Sequence, residues 1–172
     1  MLEGLQKLGR ALMLPIAVLP VAAILLRLGA PDLLGVPLMA AAGEAVFANL
    51  ALIFAVGVAV GFAREEEGGT AALAGAVGFL VFRAALGALD AAIDMGALGG
   101  ILMGLAAAAV SNRYGRIELP QWLAFFGGRR FAPIAAAGLA LAAAGASALV
   151  YPPVQAGLRL AADWVVAAGP LG

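Results

Sequence analysis

Residues 45–63 read AVFANLALIFAVGVAVGFA, a run of nineteen positions without a charged side chain. A helix needs roughly 20 mostly apolar residues to cross the hydrocarbon core of a bilayer, which is about 30 Å thick. Four other apolar runs occur along the chain, and an isolated segment in lipid must satisfy its own backbone hydrogen bonds as a helix. The sequence therefore predicts an all-α integral membrane protein with about five transmembrane helices, near 11–28, 45–63, 70–89, 95–112 and 131–151.

The overall composition supports a membrane location and excludes several kinds of site. Hydrophobic residues make up 65% of the chain and charged residues 12%, whereas about 25% of residues are charged in a typical soluble domain. Ten basic and ten acidic residues cancel, and the chain contains neither cysteine nor histidine. Thiolate and imidazole metal ligands and Cys or His nucleophiles are therefore excluded. We expect membrane lipid as a partner, and no metal, no cofactor and no nucleic acid.

The basic residues are distributed unevenly between the two sides that five spans define. With the N-terminus in the cytoplasm, seven basic residues face the cytoplasm and three face outward, which satisfies the positive-inside rule. The cytoplasmic set is Lys7, Arg10, Arg64, Arg113, Arg116, Arg129 and Arg130, and the outer set is Arg27, Arg83 and Arg159. The first apolar run could also be a signal peptide, but Pro15 and Pro20 interrupt it, so we favour a retained span.

Glycines at intervals of four residues predict close contacts between helices. Gly57 and Gly61 lie in the second predicted span, and Gly96, Gly100 and Gly104 lie in the fourth. Small residues at this spacing let helix backbones approach each other closely in lipid. We therefore expect both spans to pack against other helices, from this chain or from another.

The stretch ELPQWLAFFGGRRFAPI at 118–134 is unusually rich in aromatic and basic residues. Its apolar residues recur at i, i+3, i+4 and i+7, the spacing of one helical face: Leu119, Trp122, Leu123 and Phe126. Pro120 favours a helix start, and Gly127-Gly128 favours a helix end before Arg129 and Arg130. We predict a short interfacial amphipathic helix over 119–126, which is either an anchor among lipid headgroups or a connector between moving bodies.

Few polar residues fall within or beside the predicted spans, and such residues are functional candidates by default. Glu44 and Asp94 lie near span ends, where exposure at the outer surface explains them. Asn49 lies about one turn inside the second span and Arg83 well inside the third, where each is a candidate to face a cavity or a helix partner. All four are candidates for a substrate path. The acidic turn at 64–69 is interpreted as a solvated hairpin without a metal-binding role.

Six segments, which together extend over nearly the whole chain, resemble segments of one known family in the same order. They are LGRALMLPIAVLPVAAILLRLGAPDLL at 8–34, ANLALIFAVGVAVGFA at 48–63, TAALAGAVGFLV at 70–81, DMGALGGILMGL at 94–105, NRYGRIELPQWLAFFGGRRFAPI at 112–134 and YPPVQ at 151–155. In this order they resemble the membrane-embedded IIC component of the glucose and N-acetylglucosamine branch of the bacterial sugar phosphotransferase system. Within the branch, ILLRLGAPDLL at 24–34 is more similar to the N-acetylglucosamine permeases than to the glucose permeases.

The resemblance implies a homodimeric sugar permease of about ten spans in the bacterial cytoplasmic (inner) membrane. Its sugar would be passed to a IIB domain that carries phosphate on a cysteine, within a system that also includes a IIA phosphocarrier. The first five spans would supply the dimer interface and frame, and the segment 120–126 would link the fourth and fifth spans. The sugar-binding His and Glu would lie in the missing C-terminal half, so we expect no catalytic phosphoryl-transfer residue in this chain.

Other interpretations remain open. The chain is alternatively a non-transporting membrane interaction module, or the remnant of a split or truncated permease. An unrelated small channel or scaffold is a third interpretation. A reading frame that continues beyond Gly172 into five further apolar spans would indicate a fragment of a permease.

Overall fold

The computed structural model describes residues 2–167, which form six α-helices joined by short connections. The helices are α1 (Leu2–Gly29), α2 (Pro37–Ala48), α3 (Leu50–Phe62), α4 (Gly68–Leu89), α5 (Gly96–Tyr114) and α6 (Phe131–Ala167). The connections contain 3-10 turns at Glu65–Glu67, Gln121–Phe126 and Gly128–Arg130. No β-strand occurs among residues 2–167, which confirms the predicted all-α class.

The predicted spans all fall on helices, but these helices differ in how well they suit a lipid environment. Gln6–Gly29, Glu65–Leu89 and Gly128–Trp164 are each long and apolar enough to cross a membrane, and α2 and α3 together form a fourth such segment of the described chain. The fourth predicted span lies on α5, which is outside this set. Because α5 packs against α3, α4 and α6, protein rather than lipid surrounds much of its surface.

The second predicted span bends in its middle. The axes of α2 and α3 differ by 55°, and Asn49 lies between the two helices. Asn49 Nδ2 donates a hydrogen bond to the carbonyl oxygen of Ala45 at 2.8 Å, and its backbone (φ −106°, ψ 16°) departs from helical geometry. Asparagine side chains compete with helical backbone bonding in this way. One polar residue therefore divides a span that composition alone predicts as continuous.

The last helix extends beyond the span predicted at 131–151. Its 37 residues correspond to roughly 55 Å at 1.5 Å per residue, and the helix continues through Pro152 and Pro153. Beyond these prolines, Gln155 Nε2 donates to the carbonyl oxygen of Ala92 at 3.0 Å, which ties the extension to the turn before α5. The first part of α6 packs against α4, and its four fully buried alanines are Ala132, Ala136, Ala140 and Ala144.

The contact between α3 and α5 forms the centre of the bundle. Ala55 and Val58 of α3 have no exposed surface. Gly100 of α5 lies directly against the carbonyl group of Ala51, and a Cβ atom at Gly104 would come within 2.7 Å of the Ala55 carbonyl oxygen. Because glycine has no Cβ atom, the two helix backbones can approach closely at these positions.

The other glycines with a spacing of four residues have two different roles. Gly57 and Gly61 bring α3 against Pro15 and Ala11 of α1. Gly96 contacts no other helix, because a Cβ atom there would meet no atom within 4 Å. Its φ of 45° places it in the left-handed region that favours glycine, at the start of α5. Within this chain Gly96 therefore forms a turn rather than a helix contact, since spacing alone does not distinguish the two.

The connections between helices lie at two ends of the bundle. The α3–α4 turn and the α5–α6 loop lie at one end, which we call the loop end. The α1–α2 and α4–α5 turns lie at the other, which we call the far end. The polar residues singled out from the sequence divide between these two ends.

Candidate functional site

At the loop end, Asn112 of α5 ties together the end of α3 and the turn that follows it. Its Nδ2 donates to the carbonyl oxygen of Phe62 at 3.0 Å, and its Oδ1 accepts a hydrogen bond from the backbone N–H of Arg64 at 2.8 Å. The last carbonyl groups of a helix have no partner within that helix. The Asn112 amide supplies one, and thereby fixes the path of the chain as it leaves α3.

Two arginines of the α5–α6 loop bind the acidic turn between α3 and α4. Arg116 forms an ion pair with Glu66. Arg129 Nη2 donates to the carbonyl oxygen of Glu66 at 2.8 Å, and Arg129 Nε lies 3.9 Å from Glu67 Oε1. Both ends of the loop are therefore held on the same turn. We call this arrangement the clasp, and its members are Glu66, Glu67, Asn112, Arg116 and Arg129.

Glu67 is the buried member of the clasp, with 4% of its surface exposed. Its Oε2 has no hydrogen-bond partner among the described residues and lies against Gly115, where a Cβ atom would come within 2.8 Å of it. Glu67 and Ser111 line a cavity of about 500 Å³, and the buried Ser111 Oγ also lacks a partner within residues 2–167. The prediction of a solvated acidic turn is therefore wrong for Glu67, because its burial depends on a glycine far away in the sequence.

The aromatic segment of the loop is a 3-10 helix rather than the predicted α-helix over 119–126. The 3-10 geometry covers Gln121–Phe126 and places residues three positions apart on one face. Trp122 and Phe125 share that face and are 80% and 69% exposed, whereas Leu123 is half-buried. The predicted apolar face at i, i+3, i+4 and i+7 is therefore not formed.

A second set of contacts closes the base of this loop. The Gly128 N–H donates to the carbonyl oxygen of Ile117 at 2.8 Å, and the φ of 62° at Gly128 is one that side-chain-bearing residues rarely adopt. Arg130 donates to the carbonyl oxygen of Phe125 at 3.3 Å, and its guanidinium lies 4.8 Å from the centre of the Phe125 ring. The loop therefore presents an exposed aromatic tip, formed by Trp122, Phe125 and Phe126.

Toward the far end, only two of the four candidates for a substrate path come together. Arg83 and Asp94 line one cavity of about 470 Å³ between the end of α2, α3, α4 and the start of α5, which we call the Arg83 cavity. Asn49 forms the bend described above, and Glu44 is exposed on α2; neither lines this cavity. Asp94 Oδ1 accepts a hydrogen bond from the Gly96 N–H at 2.9 Å, so the carboxylate also fixes the start of α5.

Aromatic residues form part of the wall of the Arg83 cavity, and sequence reasoning missed them. Phe79 and Phe82 of α4 are buried there, and Phe47 of α2 is 39% exposed. Phe79, Arg83 and Leu86 lie at i, i+4 and i+7 of α4, the spacing of one helical face. This spacing in the sequence could have indicated that Arg83 borders the same cavity as these two apolar residues, although its own side chain is exposed. Within residues 2–167 no cluster of three or more acidic side chains is suited to holding a metal ion.

Comparison with known proteins identifies close relatives along the chain. Residues 9–172 match the family described as Phosphotransferase system, EIIC. The PTS system N-acetylglucosamine-specific EIICBA component of Escherichia coli (strain K12) is 53% identical over 167 residues, covering 97% of this chain and 26% of that protein. The N-acetylglucosamine-specific EIICB component of Bacillus subtilis (strain 168) is 42% identical, covering 100% of this chain and 38% of that protein.

A third relative is named for a different sugar. The glucosamine-specific EIICBA component of Bacillus subtilis (strain 168) is 43% identical over 174 residues, covering 94% of this chain and 27% of that protein. The chain thus spans 26% to 38% of the length of these three relatives. These matches confirm the resemblance seen in the sequence and the assignment to a multi-pass membrane domain. Because the family match covers residues 9–172, the protein belongs to the EIIC family of the phosphotransferase system.

Proposed function

We propose that the chain is part of a sugar permease of the phosphotransferase system and that its sugar is N-acetylglucosamine. The observation that carries this proposal is the 53% identity, over 97% of the chain, to a relative named for N-acetylglucosamine. Glucosamine is the next candidate, because the relative named for it is 43% identical, and glucose is a third. The permease would couple sugar uptake to phosphorylation by IIB and IIA phosphocarrier domains. The names EIICBA and EIICB of the relatives refer to these domains by the letters B and A.

Within such a permease, this chain would supply the frame and the homodimer interface. The close contact of α3 with α5 and the alanine contact of α6 with α4 support a rigid frame. The outward face of α1, with exposed Met13, Leu14, Ile16 and Val21, is apolar and available to a second copy or to lipid. Since the chain contains no histidine and no cysteine, phosphoryl transfer would depend on the phosphocarrier domains.

The loop end would face the cytoplasm of the bacterial cell. Seven of the ten basic residues lie near this end, as the positive-inside rule requires. The chain contains no cysteine, so single cysteines introduced at Gln121 and at Ala91 can be labelled with a membrane-impermeant maleimide in intact cells. We expect labelling at position 91 only. Labelling at position 121 only would place the N-terminus outside.

The α5–α6 loop would connect the frame to the moving part of the permease. The clasp supports a connector whose two ends are fixed, because Arg116 and Arg129 hold both ends of the loop on the α3–α4 turn. The exposed aromatic tip would then be the part that contacts lipid headgroups or the missing half.

The experiment that tests the proposed function is a chimera with the E. coli relative. This chain replaces the matched 26% of that protein, and the chimera is produced in cells that lack every other N-acetylglucosamine permease. We expect uptake of labelled N-acetylglucosamine by the chimera and none by the 172-residue chain alone. A chimera that reaches the membrane intact but takes up only glucosamine or glucose would overturn the proposed specificity. Uptake by the chain alone would overturn its role as one part of a carrier.

A further inference from the structure

Arg83 is an exposed cation in a helix that is suited to crossing a membrane. It lies on α4, within the segment Glu65–Leu89 that is long and apolar enough to span a bilayer. Among residues 2–167 its guanidinium forms no ion pair, whereas Arg27, Arg116 and Arg129 each do. A charged side chain at such a position is costly and normally faces a partner or a functional cavity.

The structure provides such a cavity for Arg83. The Arg83 cavity measures about 470 Å³, within the range of roughly 300–1,000 Å³ that is typical of small-molecule sites. Most of its lining residues are apolar and come from α2, α3, α4 and α5, and the two charged side chains that border it, Arg83 and Asp94, are exposed. An apolar cavity with a few fixed polar groups is the usual form of a ligand-binding site.

The second polar group of the cavity is held in place before any ligand arrives. Asp94 Oδ1 accepts the hydrogen bond from the Gly96 N–H at 2.9 Å, and Gly96 occupies a left-handed backbone conformation that few other residues adopt. The Asp94 carboxylate can accept further hydrogen bonds, since each carboxylate has about four acceptor positions. The cavity thus offers the N–H donors of the Arg83 guanidinium and an acceptor on the carboxylate of Asp94, whose position is fixed.

These groups suit a neutral sugar ring. A guanidinium donates to hydroxyl, ring and acetamido oxygens, and a carboxylate accepts from sugar hydroxyl groups. The exposed part of Phe47 offers an aromatic face to the apolar C–H side of such a ring. The geometry points to the Arg83 cavity as a binding site for a neutral N-acetylated hexosamine, separate from any sugar site that the permease has outside these residues, and this inference rests on the proposed function.

An anionic lipid headgroup suits the same cavity less well. The far end carries five carboxylates against three arginines, which are Asp32, Glu44, Asp90, Asp94 and Asp163 against Arg27, Arg83 and Arg159. One of these arginines, Arg27, is already paired with Asp32 at 2.7 Å. The resulting negative field and the adjacent Asp94 carboxylate oppose a phosphate group, whereas a neutral sugar is unaffected by net charge.

The direct test measures sugar binding to the 172-residue chain in nanodiscs of phosphatidylcholine. N-acetylglucosamine is titrated and followed by saturation-transfer NMR, with an expected dissociation constant on the order of 1 mM. Arg83→Gln removes a charged donor and is expected to weaken binding about tenfold. Asp94→Asn keeps an oxygen for the Gly96 N–H but removes the charge, and is expected to weaken binding about threefold.

The matched control is Arg159→Gln, which changes another far-end arginine that lines a different cavity. We expect this variant to bind the sugar as the parent chain does, with circular dichroism and thermal unfolding unchanged in all three variants. Absence of sugar binding by the parent chain would overturn the inference. Equal weakening by Arg83→Gln and Arg159→Gln would also overturn it. Retention of phosphatidylglycerol by the parent chain but not by Arg83→Gln, seen by native mass spectrometry, would assign the cavity to a lipid phosphate instead.

The chimera separates failure of this inference from failure of the proposed function. If both hold, Arg83→Gln in the chimera raises the KM for uptake about fivefold or more with little change in maximal rate. Uptake by the chimera without binding to the isolated chain and without a KM effect would leave the proposed function standing and remove the sugar site. Binding to the isolated chain without uptake by the chimera would support the site and contradict the proposed function. A reduced maximal rate without sugar binding would indicate that Arg83 instead pairs with a group in the missing half, which overturns the inference.

Discussion

The loop end and the far end of the bundle are built on the same helices, but their polar side chains make different contacts. At the loop end, Asn112, Arg116 and Arg129 each meet partners on the α3–α4 turn. At the far end, Arg83 faces a cavity and forms no ion pair among residues 2–167. Internal contacts also occur at the far end, where Arg27 pairs with Asp32 and Gln155 donates to Ala92. The two ends therefore differ at Arg83, which borders a cavity.

The largest loss of stability is expected for a substitution at the α3–α5 contact, which lies between the two ends. Gly100→Val places a side chain against the Ala51 carbonyl group, and we expect a loss of about 3 kcal/mol in the free energy of unfolding, because a backbone group cannot move aside easily. Unfolding in mixed micelles, followed by circular dichroism, measures the loss. The control is Gly138→Val on α6, where a Cβ atom meets nothing within 4 Å, and the expected change is about 0.5 kcal/mol or less. Equal losses in the two variants would contradict the central role of this contact.

The second expected loss of stability is at Asn112 of the loop end, which is compared with Asn49 at the bend between α2 and α3. Asn112→Ala removes two hydrogen bonds that tie α5 to the end of α3, and we expect a cost of about 2 kcal/mol at roughly 1 kcal/mol per bond. Cleavage by trypsin after Arg129 and Arg130 should also become faster, because the loop is less firmly held. Asn49→Ala removes a single exposed bond to Ala45 and should cost about 1 kcal/mol or less. Unchanged trypsin cleavage in Asn112→Ala would show that the clasp does not restrain the loop.

The third expected change is a gain in stability, and it follows from removing the buried charge of Glu67. Glu67→Gln keeps the shape of the side chain but removes a charge whose Oε2 has no partner in the described structure, so we expect a gain of about 1 kcal/mol in stability. The opposing loss of attraction is small, because Arg129 is exposed and its Nε lies 3.9 Å away. Glu65→Gln, at an exposed position of the same turn, should change nothing measurable. A loss of stability in Glu67→Gln would mean that the attraction to Arg129 outweighs the cost of burying the charge.

The features that the sequence predicted are those that depend on local composition. Each apolar run is helical, and the second is divided between α2 and α3, since backbone bonding in lipid leaves an isolated segment no other regular structure. Gly100 and Gly104 of α5 could be singled out by their spacing, and both pack against α3. The bend at Asn49 was not predicted, because a single polar residue within an apolar run does not reveal whether its side chain bonds to its own helix.

The features that the sequence missed depend on contacts between distant segments. The burial of Glu67 requires Gly115 to lie beside it, and no local pattern links these two positions. The aromatic loop segment fits the spacing of an α-helix, yet it forms a 3-10 helix inside a loop that the hydrogen bond from Gly128 to Ile117 closes, and local spacing does not reveal this closure. The sequence named Arg83 as a candidate to face a cavity, but the aromatic wall of that cavity was missed for the same reason, because it is assembled from four helices.

The smallest effect is expected for the most conspicuous contact of the clasp, the ion pair of Arg116 with Glu66. Both side chains are largely exposed, at 74% and 67%, so a double-mutant cycle with Arg116→Gln and Glu66→Gln should give a coupling of about 0.5 kcal/mol or less. This coupling should vanish in 1 M salt, where the screening length falls to about 3 Å. The bond from Arg129 to the Glu66 carbonyl oxygen survives the Glu66→Gln change, because it uses the backbone. A coupling above about 2 kcal/mol that persists in salt would be outside the range of exposed pairs, and would move the main restraint on the loop from Asn112 to the ion pair.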